Sequence, residues 1–377
     1  MKVCHISTAH EALDIRIFYK ECRSLRQAGF TVTLIAQHPC DEVREGIRII
    51  ALPKSRGRLQ RMVSSAWRVF QLARQQQADL YHFHDPELIG IGLLLKCTTR
   101  KLVVYDVHEN MATAILDKHW IHSQFIRKIT ASFFSMIEKI TAKFFDCIIV
   151  ATPHIGSRFA QSKTVLVRNF PELSLIPKQP ARALPKGTAV LIYAGNLERQ
   201  RGVLPLVQAI GHLAGRAELW LVGEWFDPDF QAECHAQSGW INTRFLGLHS
   251  LEETYTLMSQ ADIGMVSLLP TASYLVSLPI KLFEYMACGL PVIAADFRYW
   301  RELFGDSIVY CNPKDPSDMA DRIGTLLDHP TEMARLSIVG RAMVEQNFNW
   351  SQEGERLIKA YRTMLYPRQT GFNPLGS

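Results

Sequence analysis

VLIYAGNLERQRG, residues 190–202, decides the fold. Val190 to Ala194 form an unbroken apolar run of strand length, Gly195 ends it, and after a short polar stretch Gly202 opens a helical pattern at Val203. A buried strand that turns through glycine into a helix is the repeating unit of a doubly wound α/β sheet. The unit recurs downstream, with strand-like runs at Leu219–Gly223, Thr243–Gly247, Ile263–Val266, Val292–Ala295 and Ile308–Cys311. It also recurs upstream: an apolar run ends at Ile6, a helical pattern spans Asp14–Ala28 and stops at Gly29, and further strands are expected at Thr31–Ala36, Ile47–Leu52, Leu80–His84, Leu102–Val107, Cys147–Ala151 and Thr164–Val167. Between the two series Pro171, Pro177, Pro180 and Pro185 discourage both helix and central strand, which marks a boundary.

We therefore expect α/β architecture with two doubly wound, Rossmann-like domains, 1–172 and 173–349. Residues 350–377 are expected to supply a helix that packs back towards the first domain, then a loose tail. Ligands of such sheets bind beyond the carboxyl ends of the strands, so the site is expected in a cleft that both sheets face. Helix starts are well marked: Ser250 with Glu253 makes a capping box, and Asp315 before Pro316 suits an N-cap with proline at the first helical position.

Composition narrows the function. The 377 residues are 47% hydrophobic and 21% charged, as in an ordinary globular protein, and no apolar run reaches membrane-spanning length. The N-terminus lacks the apolar core of a signal peptide, so a cytoplasmic location is expected. Eight cysteines form no CxxC pair, which removes zinc knuckles and redox dithiols. Lys plus Arg number 42 against 36 Asp plus Glu, and the excess clusters. Lys54–Ala78 carries six cations and no acid at amphipathic helical spacing; Lys118–Phe145 interleaves cations with Trp120, Phe125, Phe133, Phe134, Phe144 and Phe145. Both suit an anionic membrane surface, though a core for the aromatics with a solvated cationic face explains them equally well. No nucleic-acid-binding pattern accompanies the charge. No GxGxxG follows the first strand and no GxxxxGK[ST] occurs, which argues against a nicotinamide dehydrogenase and a P-loop NTPase.

The residues that carry chemistry lie near the strand ends. Gly195, Arg199 and Arg201 precede a helix N-terminus, where glycine lets the backbone approach, free amides favour an anion and arginine grips phosphate oxygens in a fork. In SLPIKLFEYMACGLP, residues 277–291, Lys281 and Glu284 stand three apart on one helical face. They make either a modest surface ion pair or a carboxylate for a ribose diol beside loop amides of Ser277 and Leu278 that meet phosphate.

These motifs resemble a known family. KLFEYMACGLPVIA with YAGNLERQRG is similar to the donor half of the retaining glycosyltransferases of family 4, which have the GT-B fold. HEALDIRIFYKE from His10, HFHDPELIGIGLL from His82 and VVYDVHEN from Val103 are similar to the acceptor domains of its bacterial polysaccharide-assembly members. The resemblance implies a nucleotide-sugar co-substrate and no other cofactor, a glycan or lipid-linked acceptor, and no protein-bound metal. It makes Glu284 the second Glu of the E-x7-E motif on the ribose, and gives Arg201 and Lys281, with Arg199 assisting, the diphosphate. His108 would face the transferred sugar, and His10, Asp14, His84, Asp85 and Glu109 would lie on the acceptor side. Two positions depart from the pattern: Val276 stands where the motif's first Glu is expected, and the first loop, Ser7–Glu11, has no glycine. Two other functions stay open at this point: a nucleotide-sugar 2-epimerase of the same fold, and a membrane-surface binding protein without activity.

Overall fold

The structure is a computed structural model that describes residues 1–54, 64–116, 123–177 and 187–366. Parts of both basic segments (55–63 and 117–122), Pro180, Pro185 and the tail from Pro367 lie outside the described residues. Backbone contacts divide the chain into two compact units: residues 1–169 with the segment from Trp350, and Phe170–Asn349.

The first unit is built on an eight-stranded sheet: β1 (Lys2–Glu11), β2 (Thr31–Gln37), β3 (Glu42–Arg44), β4 (Ile47–Leu52), β5 (Leu80–Phe83), β6 (Leu102–Val107), β7 (Cys147–Val150) and β8 (Thr164–Leu166). The order is β3-β4-β2-β1-β5-β6-β7-β8, parallel throughout except for the β3–β4 pair. β3 escapes sequence analysis because Glu42-Val43-Arg44 is short and polar, as an edge strand can be. Successive side chains alternate between two cores. Cys4, Ile6, Tyr81, Phe83, Val103 and Tyr105 face one; Val3, Leu34, Leu80, Val104 and Ile149 face the other, which the helix Trp350–Leu365 covers with Trp350, Leu357 and Tyr361. Trp350 Nε1 donates to Ser24 Oγ (2.8 Å), and Glu353 accepts from the Arg168 amide (2.9 Å), which fixes that helix on this unit.

The helix expected over Asp14–Ala28 differs in kind. It opens as a π-helix, Ile15–Cys22, before a short α-helix, Arg23–Gln27. The wider turn brings residues five apart onto one face, so Arg16 and Glu21 point inward together, with Lys20 beside them.

The second unit carries six parallel strands: β9 (Ala189–Ala194), β10 (Ala217–Val222), β11 (Thr243–Gly247), β12 (Ile263–Val266), β13 (Val292–Ala295) and β14 (Val309–Cys311). The order β11-β10-β9-β12-β13-β14 runs outward in both directions from the β9–β12 pair. The Ser250 capping box and the Asp315 cap both form. After β14 the unit ends in the helices Pro316–Leu327 and Pro330–Asn347.

Candidate active site

In each unit the predicted residues gather where the chain reverses its winding, the crevice in which doubly wound sheets bind ligands. In the second unit that point lies between β9 and β12. The Ala194 amide donates to Tyr285 Oη (2.7 Å), so a buried tyrosine of the helix Ile280–Ala287 ties that helix to the end of β9 and to the Gly195 loop. Leu269 N donates to Gln200 O (3.0 Å) and Ser267 Oγ to Arg201 O (3.2 Å), which docks the far side of the loop on the end of β12. Gly202 is required here: its φ is +71°, and a Cβ would sit 1.9 Å from Ser267 O.

Within this frame Glu284 is fully buried and accepts from Tyr255 Oη (3.0 Å), with Lys281 Nζ 2.7 Å from its other oxygen. The pair is therefore no surface ion pair; a buried carboxylate with one neutral donor and one ammonium keeps lone pairs for further donors. Arg201 lies over the Tyr274 ring (5.8 Å) and hydrogen-bonds Tyr193, whose hydroxyl donates to Asn196 O (2.9 Å). Ser277 O accepts from Trp300 Nε1 (2.9 Å), which holds the loop that carries Ser277 and Leu278. Arg199 goes elsewhere. It is exposed, paired with Glu233 and seated over Phe230 (4.6 Å), and no contact joins it to the Lys281 group.

In the first unit the reversal lies between β1 and β5, and the ends of β1, β5 and β6 bring His5, His84, Asp106 and His108 together. His10 is partly exposed, with Nδ1 3.5 Å from Asp14 and Nε2 3.6 Å from Asp85. Burial opposes ionisation of Asp14, but the His10 hydrogen bond and charge and the Ile17 amide outweigh it and hold the carboxyl low. Asp85 is taken up structurally: its Oδ2 accepts from Ser7 Oγ, Thr8 N, Thr8 Oγ1 and Ala9 N, which bolts the glycine-free stretch expected as a loop, in fact the irregular second half of β1, and only Oδ1 faces His10. Glu87 accepts from Thr8 Oγ1 (2.7 Å). Glu109 is exposed, next to His108.

Beneath these residues lies a buried polar cluster, which joins His84 and His108 to His5, Arg16, Glu21, His82, Asp106 and Tyr361. Arg16 forks onto Asp106 (Nη2–Oδ1 3.0 Å, Nε–Oδ2 3.2 Å), reaches Glu21 (3.0 Å) and donates to Val167 O (3.1 Å). Burial would raise both carboxyls. Arg16, His108 and His84 overcome this at Asp106 and hold it ionised, whereas burial and the charge of Asp106 push Glu21 well above the usual carboxyl range despite Arg16. Burial lowers His5, His82 and His84, so these imidazoles are neutral. Tyr361 Oη, from the C-terminal helix, lies 2.5 Å from His82 Nδ1 and 3.3 Å from His5 Nε2. Two overlapping sets, His5/Glu21/His82/His84 and Glu21/His84/Asp106/His108, have ligating atoms within 4.8 Å of one another and are the described groups close enough to hold a metal ion. Arg16 already balances Asp106, and His5, His84 and His108 bond to one another or to Asp106, so the cluster reads as a hydrogen-bond network.

Comparison with known proteins agrees with both halves. A family model described as Glycosyltransferase Family 4 matches residues 16–170, and one described as Glycosyl transferases group 1 matches residues 188–329. The chain is similar to glycogen synthase of Mycobacterium tuberculosis, 22% identical over 380 residues with 90% of this chain and 88% of that protein covered. It is also similar to alpha-1,3/1,6-mannosyltransferase ALG2 of Homo sapiens, 22% identical with 80% and 72% covered. Among solved structures it resembles the sucrose-phosphate synthase of Thermosynechococcus elongatus (TM-score 0.77, 22% identity, 97% and 99% covered). Another is Anabaena HepE in complex with UDP and glucose (TM-score 0.73, 16% identity, 96% and 100% covered). With two family models that together take in most of both sheets, the chain belongs to glycosyltransferase family 4 and has the GT-B fold of two Rossmann-like domains.

Proposed function

We propose that the protein transfers a sugar from a nucleoside diphosphate donor to a hydroxyl of a lipid-linked glycan in polysaccharide assembly, with retention of configuration and without a protein-bound metal. The observation that carries this reading is the buried Glu284 with Tyr255 and Lys281, on the helix that Tyr285 ties to the Gly195 loop. Solved complexes of a structural neighbour with UDP and with UDP-glucose support the donor class. Glu284 accepts from the ribose diol, which frees Lys281 Nζ to join Arg201 and the amides at Ser277 and Leu278 on the diphosphate. Donors fixed in advance where negative charge develops favour departure of the diphosphate. The departing phosphate oxygen takes the acceptor's proton, His108 holds the sugar, and His10, Asp14, His84, Asp85 and Glu109 form the acceptor side.

We also place the protein at the inner face of a membrane. On the helix Gln124–Ala142 and just beyond it, Phe125, Ile129, Phe133, Met136, Ile140 and Phe144 recur at spacings of three and four, and all are exposed, the three phenylalanines by 71%, 59% and 61%. Lys128, Lys139 and Lys143 are exposed beside them, and the helix's one acid, Glu138, is buried. An apolar stripe flanked by cations complements anionic lipid. No helix among the described residues is long and apolar enough to cross a membrane.

The direct test offers UDP-, GDP-, ADP- and TDP-sugars with lipid-linked acceptors and determines the anomeric configuration of any product. A product with the donor's configuration supports the reading. Turnover of donor with no acceptor consumed, or none with any pair, contradicts it.

A further inference from the structure

Resting on that reading, we propose that Asp106 is a positioning residue of the transfer: gripped by Arg16, it holds His108 as the Nε2–H tautomer and so presents the Nδ1 lone pair as the acceptor for a hydroxyl of the bound sugar. The geometry fixes the proton positions one bond at a time. Asp106 Oδ2 lies 2.9 Å from His108 Nε2 and 3.3 Å from His84 Nδ1. A carboxylate accepts and does not donate, so both nitrogens carry hydrogen. His84 Nδ1 also lies 3.2 Å from His108 Nε2, and with hydrogen on both nitrogens the two N–H groups converge on Asp106 Oδ2 rather than bonding to each other.

With Nδ1 protonated, the neutral His84 has a bare Nε2, which accepts from His5 Nδ1–H (3.0 Å). His5 Nε2 is then bare in turn and accepts from Tyr361 Oη–H (3.3 Å), while Tyr361 Oη accepts from His82 Nδ1–H (2.5 Å). Each donor in the chain His82, Tyr361, His5, His84 points towards Asp106, because the one group that cannot donate sits at that end. This removes the freedom an isolated imidazole has to exchange tautomers. His108, 18% exposed, is the member that reaches the surface, and no described residue hydrogen-bonds its Nδ1. An acceptor nitrogen beside Asp14 and Glu109, in a site crowded with carboxylates, selects a neutral hydroxyl over an anionic group.

Two measurements test this on the full-length protein. In the first, long-range 15N–1H spectra of the wild type should show hydrogen on His108 Nε2 and none on Nδ1; hydrogen on Nδ1, or rapid averaging between both, overturns the proposal. The second is a double-mutant cycle. Asp106→Asn offers an amide that can present N–H to His108 and reverse its tautomer. A partner that orients a histidine through its second nitrogen is worth roughly 10- to 100-fold, so kcat should fall by that factor with donor Kd unchanged. In a His108→Gln background the same change should cost less than about twofold, since its effect runs through His108. Equal losses in both backgrounds, or wild-type kcat in Asp106→Asn, overturn the proposal. Should Asp106→Asn fail to fold, leaving Arg16 buried without its carboxylate, the wild-type spectrum still decides. Wild-type turnover in His108→Gln would instead remove His108 from the proposed function, whatever its tautomer.

Discussion

Glu21→Gln is expected to stabilise the first unit at neutral pH. Glu21 is fully buried, and burial with the neighbouring Asp106 charge raises its carboxyl well above the ordinary range. An unfolded glutamate titrates near pH 4.3, so above that pH the folded chain holds a proton that the unfolded chain releases. The linkage sign follows: stability from this group is complete below about pH 4.3 and is lost as pH rises towards the folded value. Each pH unit in that window costs about 1.4 kcal/mol, which at pH 7 sets an upper bound of about 3.7 kcal/mol if the carboxyl is still protonated there. An amide keeps the shape and removes the cost, so the advantage of the variant should grow as pH rises above about 4.3, until the folded carboxyl itself ionises. Denaturant-dependent hydrogen exchange of peptides covering Lys2–Glu11 and Leu80–Phe83 reads this unit alone. If Glu21 were an ionised partner of Arg16, removing its charge would destabilise by roughly 3 to 5 kcal/mol; loss of protection in the variant at pH 7 would therefore refute the assignment.

Three further outcomes are expected. Burial lowers His5, His82 and His84, so the unfolded chain binds more protons below about pH 6.5, and in Glu21→Gln, where the opposing carboxyl is gone, the same peptides should lose protection as pH falls from 6.5 towards 5; protection unchanged over that range would place charge on these rings. Gly202→Ala, with a positive φ and a Cβ 1.9 Å from Ser267 O, should destabilise the second unit by more than about 1 kcal/mol and weaken donor binding, and wild-type melting and affinity would show that the loop is not anchored on β12. Replacing Phe125, Phe133 and Phe144 together by Ser should abolish salt-sensitive sedimentation with anionic vesicles, and equal sedimentation of wild type with neutral vesicles would remove the lipid proposal.

The arrangement of the second unit was legible because its signals are local. Strand, glycine loop and helix follow one another within residues 190–211, and Lys281 and Glu284 lie one turn apart. Even there sequence could not separate Arg199 from Arg201, because the Glu233 that captures Arg199 comes from a helix 34 residues away. The first unit hid more. Tyr361 and His5 are 356 residues apart, and Arg16 and Asp106 are 90 apart; only a parallel sheet that sets the ends of β1, β5 and β6 side by side joins them. Helical periodicity over Asp14–Ala28 also could not reveal the π-turn that sends Arg16 and Glu21 inward together. Nothing local to Asp85 and Glu87 shows that their oxygens hold Ser7 and Thr8 of β1, nearly 80 residues away.

The central claim, a nucleoside diphosphate seated between the Gly195 loop and the Lys281 helix, is tested most directly by calorimetric titration of UDP, GDP, ADP and TDP into wild type, Arg201→Ala and Glu284→Gln. Glu284→Gln loses charge-assisted hydrogen bonds of roughly 1.5 to 3 kcal/mol, so affinity for the preferred nucleotide should fall about 10- to 150-fold with the fold intact. Arg201→Ala should weaken binding as well and lower turnover by on the order of a hundredfold, as loss of a preorganised donor to a developing oxyanion does. Wild-type affinity in both folded variants, or no nucleotide bound by the wild type, would contradict the account.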